Sequence, residues 1–326
     1  MPVRTAHPPV VVTGAHRSGT SMVARLLGRL GLVLGADLQG DAESRFFLGL
    51  NDTLLFLNNC FWDNPGPMAY LAERPELLED YARCVERELE GLGARRFLGR
   101  RCLWRCRPLE HVPGPWGWKD PRAVLTLPVW LRVFPEVRVV YQVRNGVDVA
   151  RSLVVRERRA EEDRRRRLAR RLRRRSFRGT LRESGLRGSL RCATLEGAFS
   201  LWEDYVEIAE RNLSAMPADR VFRLRYEDFV GSAPAGLSRL ARFCGLDGVG
   251  PEAIREACTD LRGDRAFAYR RDPELSAFFE RVRETPWMQR LGYGGDGRRD
   301  AVSGGAEAAK AAEFREAGPR RDQRAP

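Results

Sequence analysis

The chain has 326 residues, 43% of them hydrophobic, which suffices for one large α/β domain or two modest ones. No run approaches the length of about 18 consecutive apolar residues that spans a membrane, so we expect no transmembrane segment. The net charge of +13 comes mostly from residues 156–191, where 16 arginines face 5 acidic residues, and it is weak evidence for a nucleic-acid partner.

Three further features of the sequence argue against a zinc site, a signal peptide and a site for single-stranded nucleic acid. The seven cysteines include no C-x-x-C pair and only three histidines are present, so we expect reduced thiols and no zinc site. Residues 1–14 contain no apolar core of a signal peptide, from which we expect a cytoplasmic protein. The arginine run contains Phe177 as its single aromatic residue, which argues against stacking on single-stranded nucleic acid.

The first predicted pair of elements encloses a glycine-rich loop. A β-branched run at 10–13 predicts a buried strand, and apolar residues after Thr20 recur at helical spacing. The loop GAHRSGTS has Thr20 where the G-x-x-x-x-G-K-[ST] pattern has lysine, and its positive charge is at Arg17. Glycines and a helix N-terminus favour an oxyanion ligand. The predicted phosphate-binding residues are Arg17, Ser18, Gly19, Thr20 and Ser21.

Helices and strands continue to alternate after this loop. Further strands are predicted at 116–119, 137–143 and 221–224, and further helices at 44–59, 75–92, 121–134 and 235–243, with another helix directly after Gly146. This alternation predicts an α/β fold, a three-layer P-loop-like arrangement with a central parallel sheet flanked by helices. We expect an N-terminal extension at 1–9, one domain at 10–293 with an arginine-rich insert at about 156–191 that begins as a helix, and a disordered tail at 294–326.

The strand at 137–143 ends in Arg144 rather than in a carboxylate. Enzymes that use ATP or GTP place a Mg²⁺-binding aspartate at such a strand end and grip the β- and γ-phosphates with the loop lysine. Both features are missing here. The sequence therefore predicts an anion site that works without a metal.

Three separated motifs carry a resemblance to a known family: GAHRSGTS at 14–21, WGWKDPR at 116–122 and VYQVRNGVDVARSL at 140–153. Together, in this order and on these elements, they resemble the bacterial branch of the sulfotransferases that use 3′-phosphoadenosine 5′-phosphosulfate (PAPS). The likeness extends from Val10 to about Tyr293. It implies a PAPS-dependent enzyme that moves a sulfuryl group to a hydroxyl or amine of an acceptor without a metal.

The resemblance also implies roles for individual residues. Arg17 and the loop N–H groups would hold the 5′-phosphate, while Arg144 and Ser152 would clamp the 3′-phosphate. Lys119 would face the sulfuryl oxygens, where a compact ammonium fits better than a guanidinium. The segment LQGDAESRFFLGLND resembles a family segment with the pattern G-x-x-E-x-R, which points to Glu43 as the general base. The predicted catalytic residues are thus Glu43, Lys119 and Arg17.

Several alternatives stay open at this point. The base could instead be Asp120, His16 or the more remote His111, and Tyr226 could pack either near the nucleotide or in the core. A second 3′-phosphate contact could come from Arg262, Arg265, Arg270 or Arg271. The acceptor is a small molecule, a glycan or a lipid. Two other functions compete: a P-loop small-molecule kinase, which would require ATP and Mg²⁺, and a non-catalytic anion-binding module built around the arginine run.

Overall fold

The computed structural model describes residues 3–99, 108–173, 188–261 and 263–295. In these residues one parallel sheet is formed by strands β1 (Val10–Gly14), β2 (Gly117–Lys119), β3 (Arg138–Val143) and β4 (Val221–Arg225), in the spatial order β2-β1-β3-β4. Every pair of neighbours is parallel. Strands β1 and β2 are buried along their whole length, as expected for near-continuous apolar runs covered on both faces.

Helices connect the strands and follow them. The described α-helices are α1 (Thr20–Arg29), α2 (Arg45–Leu57), α3 (Pro75–Glu90), α4 (Leu92–Leu98), α5 (Leu127–Val133), α6 (Gly146–Arg173), α7 (Leu195–Ser214), α8 (Tyr226–Gly231), α9 (Ala233–Phe243), α10 (Pro251–Ala257), α11 (Pro273–Val282) and α12 (Pro286–Arg290). Short 3₁₀ helices lie at Gly66–Glu73, Pro108–His111, Pro121–Val124, Leu190–Ala193, Ala218–Arg220 and Ala268–Arg271. The chain divides into two compact units, Met1–Val282 and Arg283–Pro326.

Side chains alternate in direction along each strand, so the sheet has two faces. Helices cover both of them. Val10, Val12 and Val140 pack in one apolar cluster with residues of α1, α9 and α10. Thr13, which points to the opposite face, donates from Oγ1 to the carbonyl of Asp120 at 2.9 Å, and α7 contacts β1. The predicted α/β fold with a central parallel sheet between helical layers is confirmed.

Strand register brings the loops of the predicted motifs to one edge. Val12 is paired with Lys119, the last residue of β2, and Gly14 is paired with Gln142, near the end of β3. Because the strands are parallel, the loops after β1, β2, β3 and β4 all leave the sheet at the same edge. The motif at 14–21 therefore becomes a neighbour of the motifs at 116–122 and 140–153, which lie far from it along the chain.

Two helical segments differ from the sequence prediction. The helix predicted at 121–134 is divided into a 3₁₀ turn and α5, because Pro128 has no N–H to bond the carbonyl of Val124. Asn212 of α7 donates to that carbonyl instead, at 2.8 Å. The 20-residue helix α7 itself was not predicted from the sequence.

Parts of other predictions fall on undescribed residues. Cys102, Cys106, Arg262, residues 174–187 of the insert and residues 296–326 of the tail lie outside the described residues. Cys60, Cys84, Cys192, Cys244 and Cys258, which are described, are free thiols. In the part of the chain that the structure covers, no helix combines the length and apolarity needed to cross a bilayer.

Candidate active site

The loop between β1 and α1 has the shape of an anion cradle. Gly14 adopts a φ of +148°, and a Cβ at this position would lie 2.2 Å from the carbonyl oxygen of Gln142. Gly19 precedes α1 with a φ of +102°, in the left-handed region that favours glycine. The hydroxyl of Ser18 is buried and has no hydrogen-bond partner among the described residues. The loop thus presents a helix N-terminus and a buried donor to a ligand.

Arg17 connects this loop to the third motif. Its Nε donates to Ser152 Oγ of helix α6 at 2.9 Å, and its side chain is exposed. Nη1 of Arg144 lies 3.5 Å from the Arg17 carbonyl oxygen. Three of the residues predicted to bind phosphates are therefore in direct contact. The hydroxyl of Ser152 contacts Arg17 rather than the neighbouring strand-end arginine.

The guanidinium of Arg144 is held on several sides. Nη2 donates to the carbonyl of Arg265 at 2.6 Å and lies 3.4 Å from an Asp148 carboxylate oxygen. The Tyr226 ring covers its face, with Cζ 4.6 Å from the ring centroid. Its Nε is buried without a hydrogen-bond partner in the described part of the chain. This preorganised cation at the end of a buried strand still has one donor available for an anion.

Asn145 and Asp148 fix the start of α6 and the backbone that contacts it. Asn145 Oδ1 accepts a hydrogen bond from the N–H of Val147 at 3.0 Å and so caps the helix. Asp148 accepts from the N–H groups of Ala268 and Tyr269, at 3.2 Å and 2.9 Å. Burial raises the pKa of Asp148 above its usual value, against the opposing charge of Arg144. Asp148 therefore ties the 268–269 backbone to the start of α6.

Lys119 and Glu43 form a buried ion pair at the end of β2. Nζ of Lys119 lies 2.7 Å from Glu43 Oε1, and the side chains are only 2% and 6% exposed. Nζ also donates to the Asp41 carbonyl at 3.2 Å, and Gln39 Nε2 donates to the second Glu43 oxygen at 3.2 Å. The predicted cation and the predicted base are thus brought together, each as the other's counter-charge.

A second carboxylate, Asp120, lies beside this pair. Its two oxygens accept hydrogen bonds from Asn51 Nδ2 at 2.8 Å and from the N–H of Arg122 at 2.9 Å. Burial raises the pKa of Asp120 from 3.8 to about 6, against the opposing charge of Arg122, while the negative charge of Glu43 adds to the rise. These bonds join helix α2 to the loop after β2, so Asp120 is suited to hold that loop in place.

His16 belongs to the phosphate loop, and its side chain lies in an aromatic pocket. Its ring packs edge-on against Trp62 and Tyr205, with centroids 5.1 and 5.6 Å away. Burial and then the charges of four cations, Arg156, Arg122, Lys119 and Arg17, lower the pKa of His16 well below 6.5. The imidazole is therefore neutral at physiological pH.

The remaining predicted residues are more dispersed. Thr20 and Ser21 form the first turn of α1, and Thr20 is buried. Arg265 meets Arg144 through its backbone carbonyl, whereas Arg270 lies over the Phe267 ring at 4.6 Å. His111 ends the 3₁₀ helix that starts at Pro108.

Four residues that the sequence reasoning did not include also belong to this region: Gln142, Arg122, Asp148 and Arg156. Three of them lie within or directly beside the quoted motifs, which was the available signal. Among the described residues, no group of three or more His, Cys, Asp or Glu side chains is placed to hold a metal ion.

Comparison with known proteins agrees with the motifs. Residues 8–249 match the family model described as the sulfotransferase family. No curated protein sequence matches at a significant level. Among solved structures, the chain is similar to the sulfotransferase domain from the curacin biosynthetic pathway, with 16% identity, coverage of 81% of each chain and a TM-score of 0.40. It is similar to sulfotransferase STF1 from Mycobacterium tuberculosis H37Rv with 15% identity, coverage of 80% of this chain and 72% of that chain, and a TM-score of 0.44. It is also similar to the sulfotransferase domain of the Synechococcus PCC 7002 olefin synthase, with 17% identity, coverage of 97% of each chain and a TM-score of 0.38.

Proposed function

The chain belongs to the sulfotransferase family, and from this premise we propose that it moves the sulfuryl group of PAPS to a hydroxyl or amine of an acceptor, without a metal. The domain responsible is the one expected at 10–293, and the acceptor is a small molecule, a glycan or a lipid. The observation that carries the proposal is the contact of Arg17 with both Ser152 and Arg144, which joins the phosphate loop to the strand-end arginine.

The residues present fit the two anionic ends of this donor. The Ser18 hydroxyl and Arg144 Nε are buried donors without partners in the described residues, one in each of the two motifs. A buried donor without an acceptor is unfavourable, so each favours an oxyanion ligand. When bound, PAPS supplies the sulfuryl group on its 5′-phosphate. Arg17, Ser18 and the N–H groups at the start of α1 would hold that phosphate. Arg144 would hold the 3′-phosphate together with Ser152, whose hydroxyl accepts a hydrogen bond from Arg17.

The position of the cations also distinguishes this site from a kinase site. Thr20 takes the place of the lysine that contacts β- and γ-phosphates, and Arg144 takes the strand end at which ATP and GTP enzymes carry a metal-binding carboxylate. A 3′-phosphate requires a cation at this point rather than a metal ligand. The charge pattern therefore favours a donor with one phosphate at each end of a ribose.

The buried ion pair of Lys119 and Glu43 supports assigning the transfer step to these two residues. The acceptor oxygen forms a bond to sulfur while the bond from sulfur to the 5′-phosphate oxygen breaks, and the acceptor's proton passes to Glu43. Negative charge develops on the leaving phosphate oxygen, where Arg17 and the loop N–H groups stabilise it. Lys119 would neutralise the sulfuryl oxygens, which requires its ammonium to share its charge between them and Glu43. Asp120 and Arg122 would keep the loop after β2 in position. Neutral His16 would anchor the phosphate loop by packing against Trp62 and Tyr205.

Binding measurements on the purified chain test the donor. Isothermal titration should show that 3′-phosphoadenosine 5′-phosphate binds and that Arg144→Ala weakens this binding by about 10- to 100-fold, the value of one or two charge-assisted hydrogen bonds. Binding of 5′-AMP should change little. Arg144→Lys, which keeps the charge, covers the case in which the alanine variant is unstable.

The matched control is Arg281→Ala, which removes an exposed arginine whose partner Glu196 is also exposed. It should leave both affinities unchanged. Equal losses for the two nucleotides in Arg144→Ala would show that this arginine does not contact the 3′-phosphate. Binding of ATP with Mg²⁺ in preference to the 3′,5′-bisphosphate would favour the kinase alternative and end the proposal.

A further inference from the structure

Three buried nitrogen atoms beside the phosphate loop have no hydrogen-bond partner in the described residues: His16 Nε2, Arg122 Nε and Arg156 Nη2. The proposed donor site uses none of them. Buried polar atoms of folded proteins nearly always have a partner, since they otherwise lose hydration without compensation. Three such atoms in one region indicate a ligand group that supplies hydrogen-bond acceptors.

The cations of this region also differ in whether they are paired with a carboxylate. Four cations lie close enough to His16 to lower its pKa: Arg156, Arg122, Lys119 and Arg17. Lys119 is paired with Glu43, and Arg122 is paired with Asp52 at 2.9 Å and, through Nε, with Asp120 at 3.9 Å. Among the described residues neither Arg17 nor Arg156 has a carboxylate within ion-pair distance. The 5′-phosphate of the proposed donor accounts for Arg17, which leaves Arg156 without a paired anion among the described residues.

The guanidinium of Arg156 is oriented by stacking on an aromatic ring. Its Cζ lies 4.1 Å from the centroid of the Trp62 ring, so the guanidinium is stacked and one of its faces is covered. Trp62 is held in turn by Tyr205, whose hydroxyl donates to the Trp62 carbonyl at 2.9 Å. Stacking leaves the N–H edge of the guanidinium uncovered, and its Nη2 has no hydrogen-bond partner in the described residues. Such an edge matches the two oxygens of a carboxylate or phosphate.

Glu157, the residue after Arg156 on α6, forms its hydrogen bonds with other groups. Glu157 accepts hydrogen bonds from the N–H of Ser189, at 2.6 Å, and from Arg164. Arg156 itself lies one helical turn, about 6 Å, beyond Ser152, the residue that contacts Arg17. The free edge is therefore close to the proposed donor site but is separate from the groups that would hold the two phosphates.

We infer that the acceptor carries an anionic oxygen group, a carboxylate, phosphate or sulfate, and that Arg156 binds this group with help from His16 and Arg122. The inference rests on the proposed function, because it takes the site beside the phosphate loop to be the acceptor site. Arg156 is then a specificity-determining residue, which selects acidic acceptors over neutral ones. The exposed arginines further along α6, such as Arg166, are solvated and have no part in it.

The test uses inorganic sulfate as the probe and the full chain saturated with 3′-phosphoadenosine 5′-phosphate, so that the phosphate sites are filled. Isothermal titration at constant ionic strength should show sulfate binding to the wild-type complex. Arg156→Gln should weaken it by at least about 10-fold, since a charge-assisted contact is lost. Arg156→Lys, which keeps the charge without the two-donor edge, should weaken it less. Arg166→Gln is the matched control on the same helix and should not change it.

Two further measurements separate the possible failures. Arg156→Gln should retain wild-type affinity for both the 3′,5′-bisphosphate and PAPS, and sulfate should bind equally well when PAPS replaces the bisphosphate. A loss confined to PAPS would show that Arg156 contacts the donor's sulfuryl group and would overturn the inference. Equal sulfate affinity in wild type and Arg156→Gln would overturn it as well. Failure of the wild type to bind the bisphosphate at all would instead refute the proposed function.

Discussion

The buried pair of Lys119 and Glu43 allows a quantitative test of how the site beside β2 is held together. Their charged atoms lie 2.7 Å apart, and the side chains are 2% and 6% exposed. At an effective dielectric constant of about 20, the Coulomb attraction at this distance is about 6 kcal/mol. Desolvation of each ion opposes it by several kcal/mol, so the intact pair contributes little net stability. Removing one partner leaves an uncompensated buried charge.

We therefore expect Glu43→Gln and Lys119→Met each to lower the free energy of unfolding by about 3–5 kcal/mol. The double variant should be more stable than either single variant, because it buries no unpaired charge. Urea denaturation of the four proteins gives the interaction energy as a double-mutant cycle, which should exceed the larger single loss and so be at least about 3–5 kcal/mol. The control cycle uses Arg281 and Glu196, whose side chains are 64% and 61% exposed, and should give about 0.5 kcal/mol or less.

Additive losses in the first cycle would refute this reasoning. Additivity would mean that neither side chain senses the charge of the other, so that the ammonium is not neutralised by Glu43. The proposed sharing of the Lys119 charge between a carboxylate and the sulfuryl oxygens would then lose its structural basis.

Two other substitutions test the loop and the sheet edge. Gly14→Ala should lower the free energy of unfolding by about 1–3 kcal/mol and weaken nucleotide binding, because the new Cβ would lie 2.2 Å from the Gln142 carbonyl oxygen. Asp120→Asn should flatten the pH dependence of stability between about pH 4 and pH 6. The raised pKa of Asp120 means that the folded state binds its proton more tightly, so the wild type loses stability as the pH rises through this window.

Each of these predictions has its own check. Gly31→Ala is the control for Gly14, since Gly31 has a φ of +104° but nothing within 4 Å of its added Cβ. An equal loss in both variants would assign the effect to backbone strain alone rather than to the contact with β3. For Asp120, urea titrations across the pH range decide the matter. A profile of the asparagine variant parallel to that of the wild type would show that another group titrates there.

The phosphate loop and the fold class could be predicted because their signals are local. A β-branched run, two glycines and an apolar period of 3.6 residues specify strand, turn and helix from interactions only a few residues apart. The resemblance to the sulfotransferases rested on three such local motifs, and the match over residues 8–249 confirms it. Helix α7 carries the same kind of signal, with Thr194 as its N-cap and a buried apolar face, but the sequence reasoning did not use it.

The pairing of side chains could not be predicted in this way. Ser152 was expected to share a phosphate with Arg144, but the contact of its hydroxyl with Arg17, 135 positions away, was not predicted. Glu43 and Lys119, 76 positions apart, were expected in one site but not as each other's counter-ion. Arg156 belonged to a charge run that looked uniformly solvated, and only its stacking on Trp62 distinguishes it from the exposed arginines further along α6.

The sequence by itself determined the kind of fold, the glycine turn between β1 and α1, and the family. The first two follow from backbone conformations and periodicities that each short segment specifies alone, and the family follows from three short motifs. Only the tertiary structure decided which charges meet: the register of β1 with β2 and β3 aligns the strand ends, and helix packing adds Arg156 and Trp62. The physical reason is distance. Hydrogen bonds and buried ion pairs depend on separations of a few ångströms through space, which no spacing along the chain specifies.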